Sequence, residues 1–590
     1  MKTGYIVGLS LGHNASTCLL KDGEIVFSVE EERLTRIKAD GAPFNGLLKV
    51  LEYTDKVDYI AVAYPTNDRP ILEYTREPIY MGMARKLGLI ATLPREEICD
   101  THNQYLDYTT QHHLSHAICA FVNSGFGEAV TVVVDGAGSA SKYPKDNTLI
   151  DVYETESIFT CSSESITPIY KKCGTDKSII PGRYDNFNGY ELIVDNTAGI
   201  GKAYDAVTDY LGFTLMECGK TMGLSAYGKF NPNIPNFFIH DAAWSYVNPG
   251  LVAPNYARGS AINVFKYDKL KDEPREDIAY KIQQETQEEV LKLIIKASET
   301  SGNKNVCLTG GYALNCVANY YYKEKLNELG INLYVEPNSS DAGTSIGVAY
   351  LAYHRTSVNE MNKPVYIANI THRQNETLYL GPVQEITKEK VIQTALTYNG
   401  TVYENVDYER VINTIRDKNI VALFQERCEN GPRALGNRTL MYDATDPNGK
   451  DFVNLIKKRE YFRPFAASVL QDDVHEWFDL RGMEDSPSMM YAVNCQPGVE
   501  EKIPAVIHVD GTCRIQTVTK EQNSHWYNLI KEFKNQTGVP LLFNTSFNLG
   551  GEPLVETIDD ALRTLYNSGI NYIYFPAIEM MVEITHNDRE

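Results

Sequence analysis

Three apolar, β-rich runs in this chain each end in a glycine turn: Tyr5-Ile-Val-Gly-Leu-Ser-Leu before Gly12-His13-Asn14, Ala129-Val-Thr-Val-Val-Val before Asp135-Gly-Ala-Gly138, and Asn305-Val-Cys-Leu-Thr before Gly310-Gly311. One such unit is most often an ordinary structural turn. Three, spread over the first part of a 590-residue chain, are the pattern of a split, duplicated nucleotide-binding architecture, because a glycine-ended strand lets backbone N–H groups approach phosphate closely. Between the first run and Glu24-Ile-Val-Phe-Ser-Val, the turn Asp22-Gly23 predicts a hairpin.

Length then sets the domain count. A chain of 590 residues exceeds what one core organises, so two large domains are expected, about residues 1–360 and 375–590, with the polar stretch from His354 to Thr377 as linker. Asp277 to Ser298 repeats apolar residues at helical spacing and predicts an amphipathic helix, whereas Asp151 to Asn196 reads as an irregular hairpin or insertion.

Composition excludes several classes. No apolar run reaches the roughly 18 residues of a membrane span, and the N-terminus reads as a first strand rather than a signal peptide. The eleven cysteines form no CxxC pair, which argues against a disulfide framework or a cysteine zinc site and points to the reduced cytoplasm. A net charge of -21 gives no electrostatic footprint for nucleic acid. A dimer is the base-rate expectation for such a chain.

Gln111-His112-His113-Leu-Ser-His116-Ala117 opens a predicted helix, which sets His112 and His116 on one face where two imidazoles can take one metal ion. For an isolated pair, surface or satisfied core histidines are the better reading. Asp135 and Asp341 stand where the chain leaves buried strands at glycine turns and could complete a set of two His and two Asp, suited to iron, manganese or zinc.

In the second half, Arg427, Arg433, Arg438, Lys457, Lys458, Arg459, Arg463 and Arg514 gather around Gly and Pro turns in an otherwise acidic chain. Single charges of this kind usually form solvated surface pairs. As a group, with Phe424, Phe462 and Phe465 among them, they predict a phosphate site beside an apolar wall.

Six segments, in this order, resemble the O-carbamoyltransferases of the nodulation-factor, cephamycin and tobramycin type: Gly12-His-Asn-Ala-Ser16, His112-His-Leu-Ser-His-Ala117, Met222-Gly-Leu-Ser-Ala-Tyr-Gly228, Gly431-Pro-Arg-Ala-Leu-Gly-Asn-Arg438, Lys457-Lys-Arg-Glu-Tyr-Phe-Arg463-Pro-Phe-Ala466 and Asn544-Thr-Ser-Phe-Asn548. The resemblance implies an α/β chain with a duplicated actin-like ATPase domain followed by a YrdC-like domain. It further implies that carbamoyl phosphate and ATP form a carbamoyladenylate, whose carbamoyl group passes to an acceptor hydroxyl in the metal-bearing N-terminal domain.

By position, the resemblance makes His112, His116, Asp135 and Asp341 the ligands of a divalent metal, typically iron(II), with Mg accompanying ATP. His13 becomes the acid/base at the acceptor hydroxyl, a role suited to imidazole. Lys457, Arg514 and Ser546 would grip carbamoyl phosphate, with Arg433, Arg459, Arg463 and Asn544 around them, and Gly310, Gly311 and Lys220 would serve the nucleotide. The family's usual Pro after Arg-Pro-Phe-Ala is replaced by Ala467. The acceptor stays open between a small-molecule natural product and a hydroxymethylated pyrimidine in phage DNA, which charge disfavours. A tRNA threonylcarbamoylation factor and a non-catalytic actin-like ATP-binding regulator are rival readings; the regulator would have no use for Lys457.

Overall fold

A computed structural model describes residues 4–65, 79–90, 104–145, 148–241, 244–256, 260–262, 268–354, 365–366 and 377–586. Most of the segment read as a linker lies outside these. The chain divides into two compact units, one of residues 1–31 and 39–376, the other of Glu32–Lys38 with 377–590.

The first unit holds two sheets built on one plan. In the five-stranded sheet the order is Glu24–Glu30, Ser16–Lys21, Tyr5–Ser10, Tyr59–Ala63, Tyr105–Asp107. Its first three strands run antiparallel and the last two parallel to the central one. The hairpin turn is Asp22-Gly23, both at positive φ, as a two-residue turn matched to strand twist requires.

The second, nine-stranded sheet repeats this order with Ser165–Gly174, Thr148–Ser162, Glu128–Val134, Asn305–Thr309 and Asn332–Val335, in the same pattern of directions. One strand plan used twice in a chain is the duplicated actin-like architecture. Apolar residues fill the central strands of both sheets, as expected of strands covered on both faces.

The Asp151 to Asn196 region forms hairpins, as expected, but its chain is not irregular. It is regular sheet: Thr148–Ser162, Ser165–Gly174, Gly182–Phe187 and Tyr190–Asp195, extending the second sheet at its edge. Its Ser, Tyr and Gly read as irregular chain, yet the strands are regular, and Lys171 pairs with Glu154 and Lys172 with Asp195 inside the fold. Cross-strand pairing removes the cost of burying them singly.

Two helices carry the consequence of the duplication. Arg275–Ser301 runs past the predicted Asp277 to Ser298 at both ends. Gly343–His354 returns late in the chain to the first sheet, where a Cβ on Gly8 would lie 2.0 Å from Ser345 O. The same helix meets His112–Ser124 at Gly347, whose Cβ would lie 2.0 Å from Ser115 O. Only glycine permits backbones this close. Ser10 and Ser16 hydroxyls lock the junction by donating to the carbonyls of Asp341 (2.9 Å) and Ala342 (2.7 Å).

The second unit is organised on a ten-stranded, mostly antiparallel sheet. Near its middle, Leu541–Ser546, Ala466–Leu470 and Thr512–Val518 are neighbours, with Asn544, Ala466 and Arg514 in one register row. Registered residues share a face, so Arg514, Asn544 and, two residues on, Ser546 emerge on the same side.

Candidate active site

The helix His112–Ser124 is buried along its whole inner length and ends at Gly125 in the left-handed conformation. Its spacing of four sets His112 and His116 together, with their Nε2 atoms 3.2 Å apart. Asp135 arrives from the end of the strand Glu128–Val134, and its Oδ2 lies 3.1 Å from His112 Nε2. Asp341 arrives from the junction before Gly343, and its Oδ1 lies 3.4 Å from His112 Nε2 and 3.6 Å from His116 Nε2. One ligand atom from each of these four buried residues lies within 4.8 Å of every other.

Two imidazole nitrogens and two carboxylate oxygens converging in a buried place are a donor set that fits a divalent ion. The electrostatics agree. Burial works against a charged His112, but Asp341 and Asp135 outweigh it and push its pKa up to about 10. The imidazoles in turn hold Asp135 and Asp341 below the ordinary carboxylate range, against burial and their mutual repulsion. Two buried carboxylates therefore stay ionised and demand positive charge.

His113 faces elsewhere. Its Nδ1 lies 2.8 Å from Ser157 Oγ, and burial drives its pKa down to about 4, so it is a neutral core residue. His13 stands on the other side of Asp341, with Nδ1 3.4 Å from Oδ2. Its side chain is 40% exposed where that of Asp341 is 6% exposed, which leaves the imidazole reachable by a substrate. Gly310 takes φ +87 against the carbonyl of Val134, and Gly311 N–H donates to Asp135 Oδ1 at 3.2 Å. The glycine turn thus abuts the carboxylate cluster. Lys220 lies on the helix Cys218–Ser225, paired with Glu217 at 2.6 Å and set over the Phe213 ring.

Asp205, on the helix Ile200–Tyr210, gave no signal in the sequence. It accepts a hydrogen bond from Cys218 Sγ at 3.0 Å, and burial raises its pKa, with Asp135 and His13 among the charges it feels.

In the second unit, Lys457 follows the helix Gly449–Ile456 and is fully buried. Its Nζ donates to Ser546 O and lies 3.4 Å from Asn548 Oδ1 and 3.5 Å from Ser546 Oγ, all neutral oxygens. Arg459 Nη2 reaches Ser546 Oγ at 3.4 Å. Burial, then the neighbouring charges of Arg459 and Arg463, holds the Lys457 pKa far below its ordinary 10.5. Burial, Arg463 and Arg514 together pull Arg459 down to about 9. Lys457 and Arg459 thus meet at Ser546, with Arg463 and Arg514 near enough for their charges to act on Arg459, and Arg463 meets Glu460 at 3.9 Å. Cations gathered around a buried ammonium call for an anion.

Asn544 is held within the sheet, its amide donating to Ala434 O (3.0 Å) and Ser468 Oγ (2.8 Å). Arg433 lies in the loop between Gly431 and Asn437, which Glu429 shapes: its Oε1 accepts the N–H groups of Leu435, Asn437 and Arg438 at 2.7, 2.8 and 3.2 Å.

Comparison with known proteins gives the class. The family descriptions Carbamoyltransferase N-terminus and Carbamoyltransferase C-terminus match residues 83–350 and 412–581. The Uncharacterized protein sll1178 of Synechocystis sp. is 31% identical over 96% of this chain and 95% of its own length. Nodulation protein NolNO of Sinorhizobium fredii is 28% identical over 95% of this chain and 77% of its own length. Among solved structures, full-length HypF in its phosphate- and nucleotide-bound form covers 59% of this chain and 55% of its own, at 16% identity and a TM-score of 0.36. The chain belongs to the carbamoyltransferase family and is an enzyme that transfers carbamoyl groups. That removes the non-catalytic regulator from consideration.

Proposed function

We propose that the enzyme is an ATP-dependent O-carbamoyltransferase whose second unit, a YrdC-like domain, makes carbamoyladenylate and whose first unit delivers the carbamoyl group to a hydroxyl of a small-molecule acceptor. The observation that carries this reading is the fully buried Lys457 meeting Arg459 at Ser546, with the half-buried Arg463 and Arg514 close by, a cationic group that suits carbamoyl phosphate better than any neutral ligand.

In the first step carbamoyl phosphate, ATP and one water become carbamoyladenylate, pyrophosphate and phosphate. Lys457 and the arginines hold the phosphoryl oxygens and spread their charge, while Ser546 and Asn548 orient the Lys457 ammonium. In the second, the acceptor oxygen bonds to the carbamoyl carbon, AMP departs, and His13 takes the hydroxyl proton. Asp341 Oδ2 steadies the imidazolium that results.

His112, His116, Asp135 and Asp341 would hold iron(II), which when bound supplies Lewis-acid polarisation of the transferred carbonyl. The glycine turn Gly310-Gly311, set tightly against Val134 and Asp135, would present its backbone to the nucleotide. Ten cysteines among the described residues are unpaired, which fits a reducing compartment.

Purified protein with iron(II), ATP and carbamoyl phosphate, screened by mass spectrometry against sugars, nucleosides, natural-product alcohols and hydroxymethylated DNA, tests the reading. The expected result is a gain of about 43 Da on a small-molecule acceptor, lost in Lys457→Ala and His112→Ala. Modification of DNA alone would transfer the same chemistry to a polymer. Failure to consume carbamoyl phosphate and ATP under any condition would sink the proposal.

A further inference from the structure

The second unit is completed by a stretch of chain from far upstream, Glu32–Lys38. This stretch does two things to the loops beside the cationic cluster. Arg33, 2% exposed, donates through Nη1 to Glu429 O and through Nη2 to Gly431 O at 2.6 Å, and its Nη1 lies 3.5 Å from Cys428 Sγ. Arg36 donates through Nη1 to Leu554 O (2.5 Å) and Nη2 to Pro553 O (2.8 Å), with Nε 3.6 Å from Asp560.

The first loop carries Arg433 and is gripped from both sides of its backbone. Arg33 takes the carbonyls at its start, and the Glu429 carboxylate takes three N–H groups at its end. The second runs on from Ser546 and Asn548, and its Gly550 N–H donates to Lys457 O at 2.9 Å. Arg36, which grips this loop, is itself at φ +62, a left-handed backbone that a non-glycine residue keeps only when its surroundings over-determine it.

Both arginines grip these loops through backbone carbonyls. We infer that Arg33 and Arg36 are positioning residues for carbamoyl phosphate, fixing the two loops that present Arg433 and the Ser546–Lys457 pair. The inference rests on the reading of this cluster as the carbamoyl phosphate site. A planar guanidinium is needed, because two carbonyls two residues apart are met by one rigid fork and not by a single ammonium.

The test uses the full chain as wild type, Arg33→Lys, Arg433→Ala and the double variant. Pyrophosphate release dependent on carbamoyl phosphate and ATP is measured, with direct binding of carbamoyl phosphate and thermal unfolding alongside. Arg33→Lys should raise KM and Kd for carbamoyl phosphate about 10-fold or more while leaving kcat and the KM for ATP within about two-fold. In the Arg433→Ala background the same change should add little, because the loop's cargo is already gone.

An unchanged carbamoyl phosphate KM, or effects of the two variants that multiply, would overturn the inference. So would a uniform fall in kcat, both KM values and melting temperature. If Arg33→Lys fails to fold, Arg36→Lys takes its place, with the same KM shift expected and the same outcomes against it. A wild-type protein that neither binds nor consumes carbamoyl phosphate defeats the underlying reading, a result distinct from a wild type that works and an Arg33 variant that works equally well.

Discussion

Asp341 divides its carboxylate between His13 and the helical histidines: Oδ2 lies 3.4 Å from His13 Nδ1, and Oδ1 lies 3.4 Å from His112 Nε2. One side chain therefore serves both the exposed imidazole and the buried cluster. His13→Gln should keep full metal content by elemental analysis and lose about 10²- to 10⁴-fold in kcat. Asp341→Asn should lose both metal and turnover. Equal metal loss in the two variants would contradict this division of labour.

Lys457 is the best residue at which to separate stability from activity. Its ammonium is buried among cations and neutral oxygens, so Lys457→Met removes a desolvated charge and fills the space with an apolar chain of similar length. The ligand-free variant should be as stable as wild type or more so, by up to about 2 kcal/mol in urea unfolding, while carbamoyl phosphate turnover falls at least about 100-fold. A destabilised variant would mean that the lysine is held by charge the structure does not offer it.

The same lysine sets a pH dependence. Its folded pKa is depressed below 10.5, so between that depressed value and 10.5 the unfolded chain binds more protons and the ligand-free protein gains stability as pH rises. Bound carbamoyl phosphate favours the ammonium and should flatten the rise. Urea midpoints from about pH 8 to about pH 10, with and without ligand, read this out. Lys457→Met should show no difference between the two curves beyond that left by the arginines.

Gly347 tests how Asp341 is brought to the histidines. A Cβ there would lie 2.0 Å from Ser115 O, between the helix that follows Asp341 and the helix that carries His116. Gly347→Val should cost about 3 kcal/mol and lower metal content in whatever protein remains folded. Full metal loading in a stable Gly347→Val protein would show that the cluster forms without this close approach.

Features set by local geometry were legible in the sequence. The four-residue spacing of His112 and His116 fixes their shared face in any helix, and the Asp22-Gly23 turn names its own hairpin. The strand ends at Asp135 and Gly310 announce themselves because apolar runs stop abruptly there. What escaped depends on distant pairing. Glu154 and Lys171 look like loop residues until the sheet sets them side by side. Asp205 sits mid-helix with nothing around it in sequence to mark it. Arg33 meets Glu429 across 396 residues, a partnership that no local window contains.

That partnership also bears on how the chain is made. During synthesis Glu32–Lys38 leaves the ribosome early, whereas the carbonyls that Arg33 and Arg36 grip belong to the last third of the polypeptide. At about 5–20 residues per second, the two arginines wait roughly 20 to 100 seconds for partners 396 and 517 residues downstream. Until then the nascent first unit carries a short basic arm with nowhere native to go. A gene cut near residue 376 would put that arm and the loops it grips on separate polypeptides.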